Sequence, residues 1–190
     1  STFDNSESSS SGGVVYISGD LSIDGTEISN SSAGSSGGVI YNSSGNSTFN
    51  NTDVGISSSG SSGAVLYAAA NGNQAQFSSV NINNSSASSS GGAIWTDGDI
   101  SMYDSNIDSS SSNSSGGAIY GDEYESFYFE NTSIINSTAG SSGGSIWMGD
   151  HSKIEAVESH FDNNSSGSQG GGIYFESNQP DTLLLDNSTI

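Results

Sequence analysis

Basic residues are nearly missing from this chain. It has one lysine, Lys153, and no arginine, against 21 acidic residues, for a formal net charge of −20. Nucleic acids and anionic membrane surfaces are gripped by clustered Lys and Arg, so neither is expected as a partner. Such a balance suits solubility, cation binding or a high-salt medium. Cysteine is absent as well, which leaves the redox compartment open, because a secreted protein need not carry any. No run approaches 18 apolar residues, so no helical membrane span is expected. There is no initiator Met and no signal-like start, so the chain reads as a mature or excised segment. No stretch keeps helical spacing long enough for a helix.

What is present is one short phrase, repeated seven times. Ser-Ser-Gly-Gly or a near variant, a small residue, an aliphatic and an aromatic recur at Ser10–Tyr16, Ser35–Tyr41, Ser61–Tyr67, Ser89–Trp95, Ser114–Tyr120, Ser141–Trp147 and Ser168–Tyr174. The first glycines, Gly12 to Gly170, are spaced 25, 26, 28, 25, 27 and 27 residues apart. A period of this size along the whole chain marks a solenoid. High serine and high net charge also signal disorder. The apolar residues argue otherwise, because they recur at fixed positions and 17 residues are aromatic.

Nine residues before each first Gly stands an apolar residue: Phe3, Ile28, Val54, Ile82, Ile107, Ile134 and Phe161. Leu21, Ser47, Ala75, Ile100, Phe127 and Ile154 each lie 20 residues before the next aromatic, so this block is fixed in length. All length variation falls in residues 17–20, 42–46, 68–74, 96–99, 121–126, 148–153 and 175–182, which carry loop chemistry. One loop per coil therefore projects from one edge of a stack. Leu21-Ser-Ile23 and Phe127-Tyr-Phe129 alternate as half-buried strands. Thr26-Glu-Ile28 and Thr132-Ser-Ile134 follow a Gly or Asn bend as a second strand, and Gly-Gly-Ala-Ile-Tyr supplies a third. The expected fold is all-β: a single-stranded parallel β-helix of about seven coils, each of 25–29 residues with three short strands. At about 4.8 Å per coil the rod is roughly 35 Å long. Residues 1–190 form one solenoid domain.

Several columns carry candidate function. The aliphatics Val15, Ile40, Leu66, Ile94, Ile119, Ile146 and Ile173 are assigned inward. Strand alternation then sends Tyr16, Tyr41, Tyr67, Trp95, Tyr120, Trp147 and Tyr174 outward, an aromatic ribbon apt for sugar rings or a neighbouring protein. A phase flip at the corner would make them core. Twelve of the 19 Asn sit in N-x-Ser/Thr sequons, against roughly six by chance. Glycosylation candidates are Asn30, Asn42, Asn46, Asn50, Asn84, Asn113, Asn131, Asn136, Asn164 and Asn187, with Asn83 and Asn163 completing the set. Asn5, Asn30, Asn84, Asn136 and Asn163 share one periodic position, where a ladder of stacked amides at a left-handed bend is the preferred reading. Ser10, Ser35, Ser61, Ser89, Ser114, Ser141 and Ser168 read as a tight turn before Gly-Gly rather than a hydroxyl face.

The loop carboxylates Asp97, Asp99, Asp122 and Glu123 are weak Ca²⁺ candidates; no EF-hand or nonapeptide motif backs them, and solvated charge is preferred. No catalytic residue is expected. Polysaccharide-cleaving β-helices use Arg, Lys or a carboxylate cluster on one face, and His151 and His160 have no nucleophile pattern around them. No other cofactor is implied.

The phrases GGAIW (91–95) and GGAIY (116–120), with FDNN (161–164), resemble the repeats of the polymorphic outer-membrane proteins of chlamydiae. Most copies depart from the motif: Gly-Ala stands at 63–64, and F-x-x-N fits only at Phe161–Asn164. The resemblance implies a right-handed parallel β-helix displayed outside the cell, often adhesive. Ser1-Thr2-Phe3 and Ser188-Thr189-Ile190 occupy the same point of the coil, seven turns apart. A solenoid normally needs capped ends. The expectation is a window on a longer β-helix or a subunit stacking head to tail into a filament. The function expected is an extracellular structural building block. The alternative is a surface adhesin that binds glycans or a receptor through the aromatic column, and a polysaccharide-active enzyme is the least favoured reading.

Overall fold

The computed structural model describes residues 1–176 and 180–190, so part of the 175–182 loop lies outside the described residues. The chain is a parallel β-solenoid of about seven turns, with no helix among the described residues. One coil runs through Ile94–Tyr103, Asn106–Asp108 and Ser111–Ser112 and comes round at Ile119–Gly121. Each segment pairs in parallel with its repeat one coil on: Ile94 with Ile119, Ile100 with Phe127, Ile107 with Ile134, Ser111 with Thr138. The step spans 25 residues from Phe3 to Ile28 and 29 from Lys153 to Thr182.

The structure adds a fourth strand segment that the three-strand reading lacks. Ser31–Ala33, Ser57–Ser59, Ser85–Ala87, Ser111–Ser112 and their equivalents form a separate seven-stranded sheet; all other strands join one sixteen-stranded sheet. Serine and alanine have low strand propensity, so these triplets read as turn. Here the small side chains suit a narrow corner of the lumen: Ser31, Ser57 and Ser85 are buried, and Ser57 Oγ lies 3.0 Å from Ser85 Oγ. Propensity yields to packing of this kind.

Two bends per coil use left-handed backbone. Asn5, Asn30, Asn84, Asn136 and Asn163 have φ between 50° and 56°, and Ser109 takes the same turn at 57°. Gly25, Asn51, Ser79, Asp104, Asn131, Glu158 and Asn187 make the other, which includes the Gly and Asn bends expected before Thr26 and Thr132. After this second bend a hydroxyl reaches back two residues. Thr26, Thr52, Ser105, Thr132, Ser159 and Ser188 each donate to a carbonyl, at 2.7–3.0 Å. These hydroxyls are mostly buried, so the bonds meet a demand that desolvation would otherwise penalise. The first glycine of each repeat is a third left-handed point. A Cβ on Gly91, at φ +64°, would overlap the Ile94 carbonyl, and one on Gly92 would overlap the Gly117 carbonyl of the next coil.

The lumen is filled by columns. Ile28, Val54, Ile82, Ile107, Ile134 and Phe161 are all within 1% of full burial, as are Ile40, Leu66, Ile94, Ile119 and Ile146. Each such side chain contributes roughly 1.5–3 kcal/mol. At both ends the columns open. Phe3 is 43% exposed at one end; Leu183, Leu185 and Ile190 are 40%, 43% and 53% exposed at the other.

Candidate functional site

The aromatic column lies where alternation places it, outside the buried aliphatics: Leu66 and Ala68 are buried and Tyr67 between them is half-buried. It is one uninterrupted ladder. Ring centroids from Tyr16 through Tyr41, Tyr67, Trp95, Tyr120 and Trp147 are 4.8, 5.0, 4.3, 6.0 and 4.3 Å apart, with planes within 12°. Tyr174 closes it at 6.4 Å and 27°. Coil spacing in a parallel stack is close to the separation that stacked rings prefer, so each ring covers its neighbour.

This changes the expected platform. Tyr16 is 63% exposed, Trp147 only 9%, and the other five are half-buried. Faces inside the ladder are occupied by other rings; what solvent meets is a row of ring edges. The phenols of that row lie beside the acidic loops. Burial, then Asp122, Glu176 and Glu123, push the Tyr120 hydroxyl well above its ordinary range. Burial raises Tyr67 too, followed by Tyr41, Asp122 and Asp97.

The loop carboxylates are mostly engaged in ordering the loops. Asp99 accepts from the Ser126 N–H at 2.8 Å and Asp20 from the Asn46 N–H at 2.8 Å, while Asp122 accepts from the Glu123 N–H at 3.1 Å. Asp97 is raised by burial and then by Asp122, with an opposing hydrogen bond from Asn71. Among the described residues, no group of three or more His, Cys, Asp or Glu is arranged to hold a metal ion. Asp97, Asp99, Asp122 and Glu123 thus share one edge without converging on a point. Sequence reasoning missed Glu125 as a special residue. It is a loop carboxylate in composition but only 3% exposed, and its carboxyl is pushed up to about 8, first by burial and then by Asp99, Asp97 and Asp122. The available signal was its place two residues before Phe127, on the inward phase of the strand.

The sequons divide by what their amides do. Asn42 is 1% exposed and donates to the Gly45 carbonyl and Ser47 Oγ, both at 3.0 Å, so the folded coil has no room for a glycan there. Asn30 donates to Asp4, Asn131 to Asp104 and Asn136 to Asp108, at 2.7–2.9 Å; Asn163 donates to Asn136 and Asn164 to the Ile134 carbonyl. Within the periodic column Asn30 and Asn136 reach an Asp of the preceding coil, Asn163 alone reaches another amide, Asn5 bonds Asp4 of its own coil and Asn84 donates to none among the described residues, so the column is a set of left-handed bends with separate Asn–Asp ties rather than the continuous amide ladder expected. Asn46, Asn84, Asn113 and Asn187 are exposed, Asn50 and Asn83 half-buried, and none of the six donates through its amide among the described residues.

Comparison with known proteins finds no matching family model, no matching curated protein and no matching solved structure.

Proposed function

We propose that this chain is a structural rod segment of an extracellular or cell-surface assembly, whose coil stack continues across both end faces. The partner at each face is a second copy or further coils of the same chain. One observation carries the reading: the same columns that are sealed mid-stack are open at both ends. Phe3, Leu21 and Ile23 line a cavity at one end; Leu183, Leu185 and Ile190 belong to the same columns at the other. The end strands also leave one side of their backbone unpaired, and such edges take up further strands. Display outside the cell is what the likeness of GGAIW, GGAIY and FDNN to outer-membrane repeats implies, and glycans would be carried at the exposed Asn46, Asn84, Asn113 and Asn187.

The test is electron microscopy and sedimentation of residues 1–190 over a range of concentrations. The expected outcome is rods lengthening in steps of roughly 35 Å, with Leu185→Asp holding them at one unit. Isolated single-unit rods at every concentration would sink self-assembly of this chain. The ladder edge, with its phenols beside Asp97 and Asp122, favours one second reading, an adhesin. Glycan-array binding that is lost in Trp95→Ala and Trp147→Ala would support it.

A further inference from the structure

The chain has a single Asn-Gly pair, Asn71–Gly72, in the 68–74 loop. The facing loop, 96–99, is shorter, and the ladder breaks register between Ala68 and Asn73. Towards the other neighbouring coil, pairing stops at Ala68 and resumes at Ala75. Residues 69–72 thus bulge from the stack, paired with neither coil among the described residues, and Asn71 and Gly72 are both exposed. Gly72 holds φ +76°, and no atom of the described residues lies within 4 Å of where its Cβ would sit. A glycine in open space, with left-handed backbone, meets little steric resistance to rotation.

Asn is among the chemically labile side chains. The backbone nitrogen of the next residue attacks its Cγ when that nitrogen is free to reach it. At other Asn the fold ties the nitrogen down. After Asn30 the Ser31 N–H donates to the Ile56 carbonyl at 3.2 Å, after Asn42 the Ser43 N–H donates to the Ile17 carbonyl at 2.9 Å, and after Asn164 the Ser165 N–H donates to the Ser137 carbonyl at 2.9 Å. After Asn136 the Ser137 N–H donates to Asn164 Oδ1 at 2.8 Å, and after Asn73 the Gln74 N–H donates to Asn46 Oδ1 at 2.9 Å. These following residues also carry side chains that crowd the approach, whereas Gly72 carries none. The two Asp-Gly pairs, Asp24–Gly25 and Asp97–Gly98, present a carboxylate, a poorer electrophile than an amide. Both glycines are held as well: the Gly25 N–H donates to the Asn50 carbonyl at 3.1 Å, and Gly98 pairs with Asn73.

We propose that Asn71–Gly72 is a site of spontaneous self-modification, at which the folded chain converts its own side-chain amide to an isoaspartyl or aspartyl residue. The Gly72 nitrogen bonds to Asn71 Cγ and gives up its proton. The bond from Cγ to the amide nitrogen breaks, and ammonia leaves with that proton, closing a succinimide ring. Water then adds to one of the two ring carbonyls. Opening at Cγ leaves an ordinary aspartyl residue; opening at the backbone carbonyl leaves the chain running through Cγ, as isoaspartyl. Water is the one co-reactant. Either product adds a negative charge to the acidic edge and removes the amide that hydrogen-bonds Asp97. The isoaspartyl link lengthens the backbone by one atom inside the bulge, where length changes are tolerated, so the flanking pairs Ala68–Thr96 and Ala75–Ile100 persist. The site is independent of the end faces and stands whether or not rods associate.

The experiment holds the folded chain for weeks at neutral pH, beside a sample kept unfolded in urea. Chymotrypsin then cuts after Tyr67 and Phe77, and mass spectrometry with chromatographic separation of the two acid forms reads the 68–77 peptide. Asn71 should convert with first-order kinetics at any protein concentration, mainly to isoaspartate, and nearly as fast folded as in urea. Asn42 and Asn136 should convert in urea and stay intact in the fold. Gly72→Ala should slow the reaction several-fold, and the converted parent should keep its β-sheet circular dichroism and its melting temperature. The proposal is overturned if folding protects Asn71 as it protects Asn42 and Asn136, if Gly72→Ala converts as fast as the parent, or if conversion unfolds the rod.

Discussion

Glu125 has the largest carboxyl shift in the chain, and its effect on stability has a definite sign. Its carboxyl titrates near 4.5 as a free side chain and near 8 in the fold. Between those values the folded chain holds a proton that the unfolded chain has released. Stability from this residue is therefore full below about pH 4.5, falls by up to about 1.4 kcal/mol per pH unit, and levels off above about pH 8. Glu125→Gln should remove that slope, which urea unfolding at several pH values would measure; identical slopes in the two proteins would refute the assignment. Asp4 works in the opposite sense. Hydrogen bonds from Asn30 and Ser29 hold it below 3.8, so its contribution is present above that value and lost on acidification.

Among the elements, the ladder and the serine sheet show what pattern can and cannot reveal. Trp147 is 9% exposed and stacks on Tyr120 and Tyr174, whereas Tyr16 is 63% exposed and has one ring neighbour. Trp147→Ala should cost about 3–5 kcal/mol in denaturant unfolding. Tyr16→Ala should cost about 1 kcal/mol or less, and equal losses would contradict a ladder in which Trp147 is buried between two rings and Tyr16 is covered on one side only. Alternation around Ile40, Leu66 and Ile94 favoured aromatics outside the lumen but left open a phase flip at the corner that would make them core; the strands keep the alternation. It could not show that the rings would shut one another's faces, since that depends on the distance between coils. The Asn bends at Asn30 and Asn136 were legible because few other residues take φ near 50° so readily. The fourth strand was not, since Ser-Ser-Ala carries no alternation of apolarity. Nor could composition distinguish Glu125, buried, from Glu123, exposed two positions away. What separates them is closeness to the strand: Glu125 stands two residues before Phe127 on its inward phase, whereas Glu123 lies in the turn.

For the whole molecule, charge and length dominate. With −20 on 190 residues and one cation, the folded rod repels itself. Raising salt from about 0.01 M to about 0.15 M shortens the screening length from roughly 30 Å to roughly 8 Å. Midpoints of thermal unfolding should rise over that range, and a flat response would show that the acidic loops are too far apart to matter. In a stack in which each coil touches only its neighbours, stability is close to a sum of coil and interface terms, so residues 1–190 prepared alone should fray first at the exposed columns of Phe3 and Leu185. The ladder gives that process an optical signature. Five tyrosines and two tryptophans stand in a line with neighbours 4.3–6.4 Å apart. Light absorbed at Tyr16 or Tyr174 passes along the row to Trp95 and Trp147, which act as energy sinks, so the intact rod glows as tryptophan even when its tyrosines are excited. A ladder tyrosine that leaves the row should regain its own emission, which fluorescence excited at tyrosine would register.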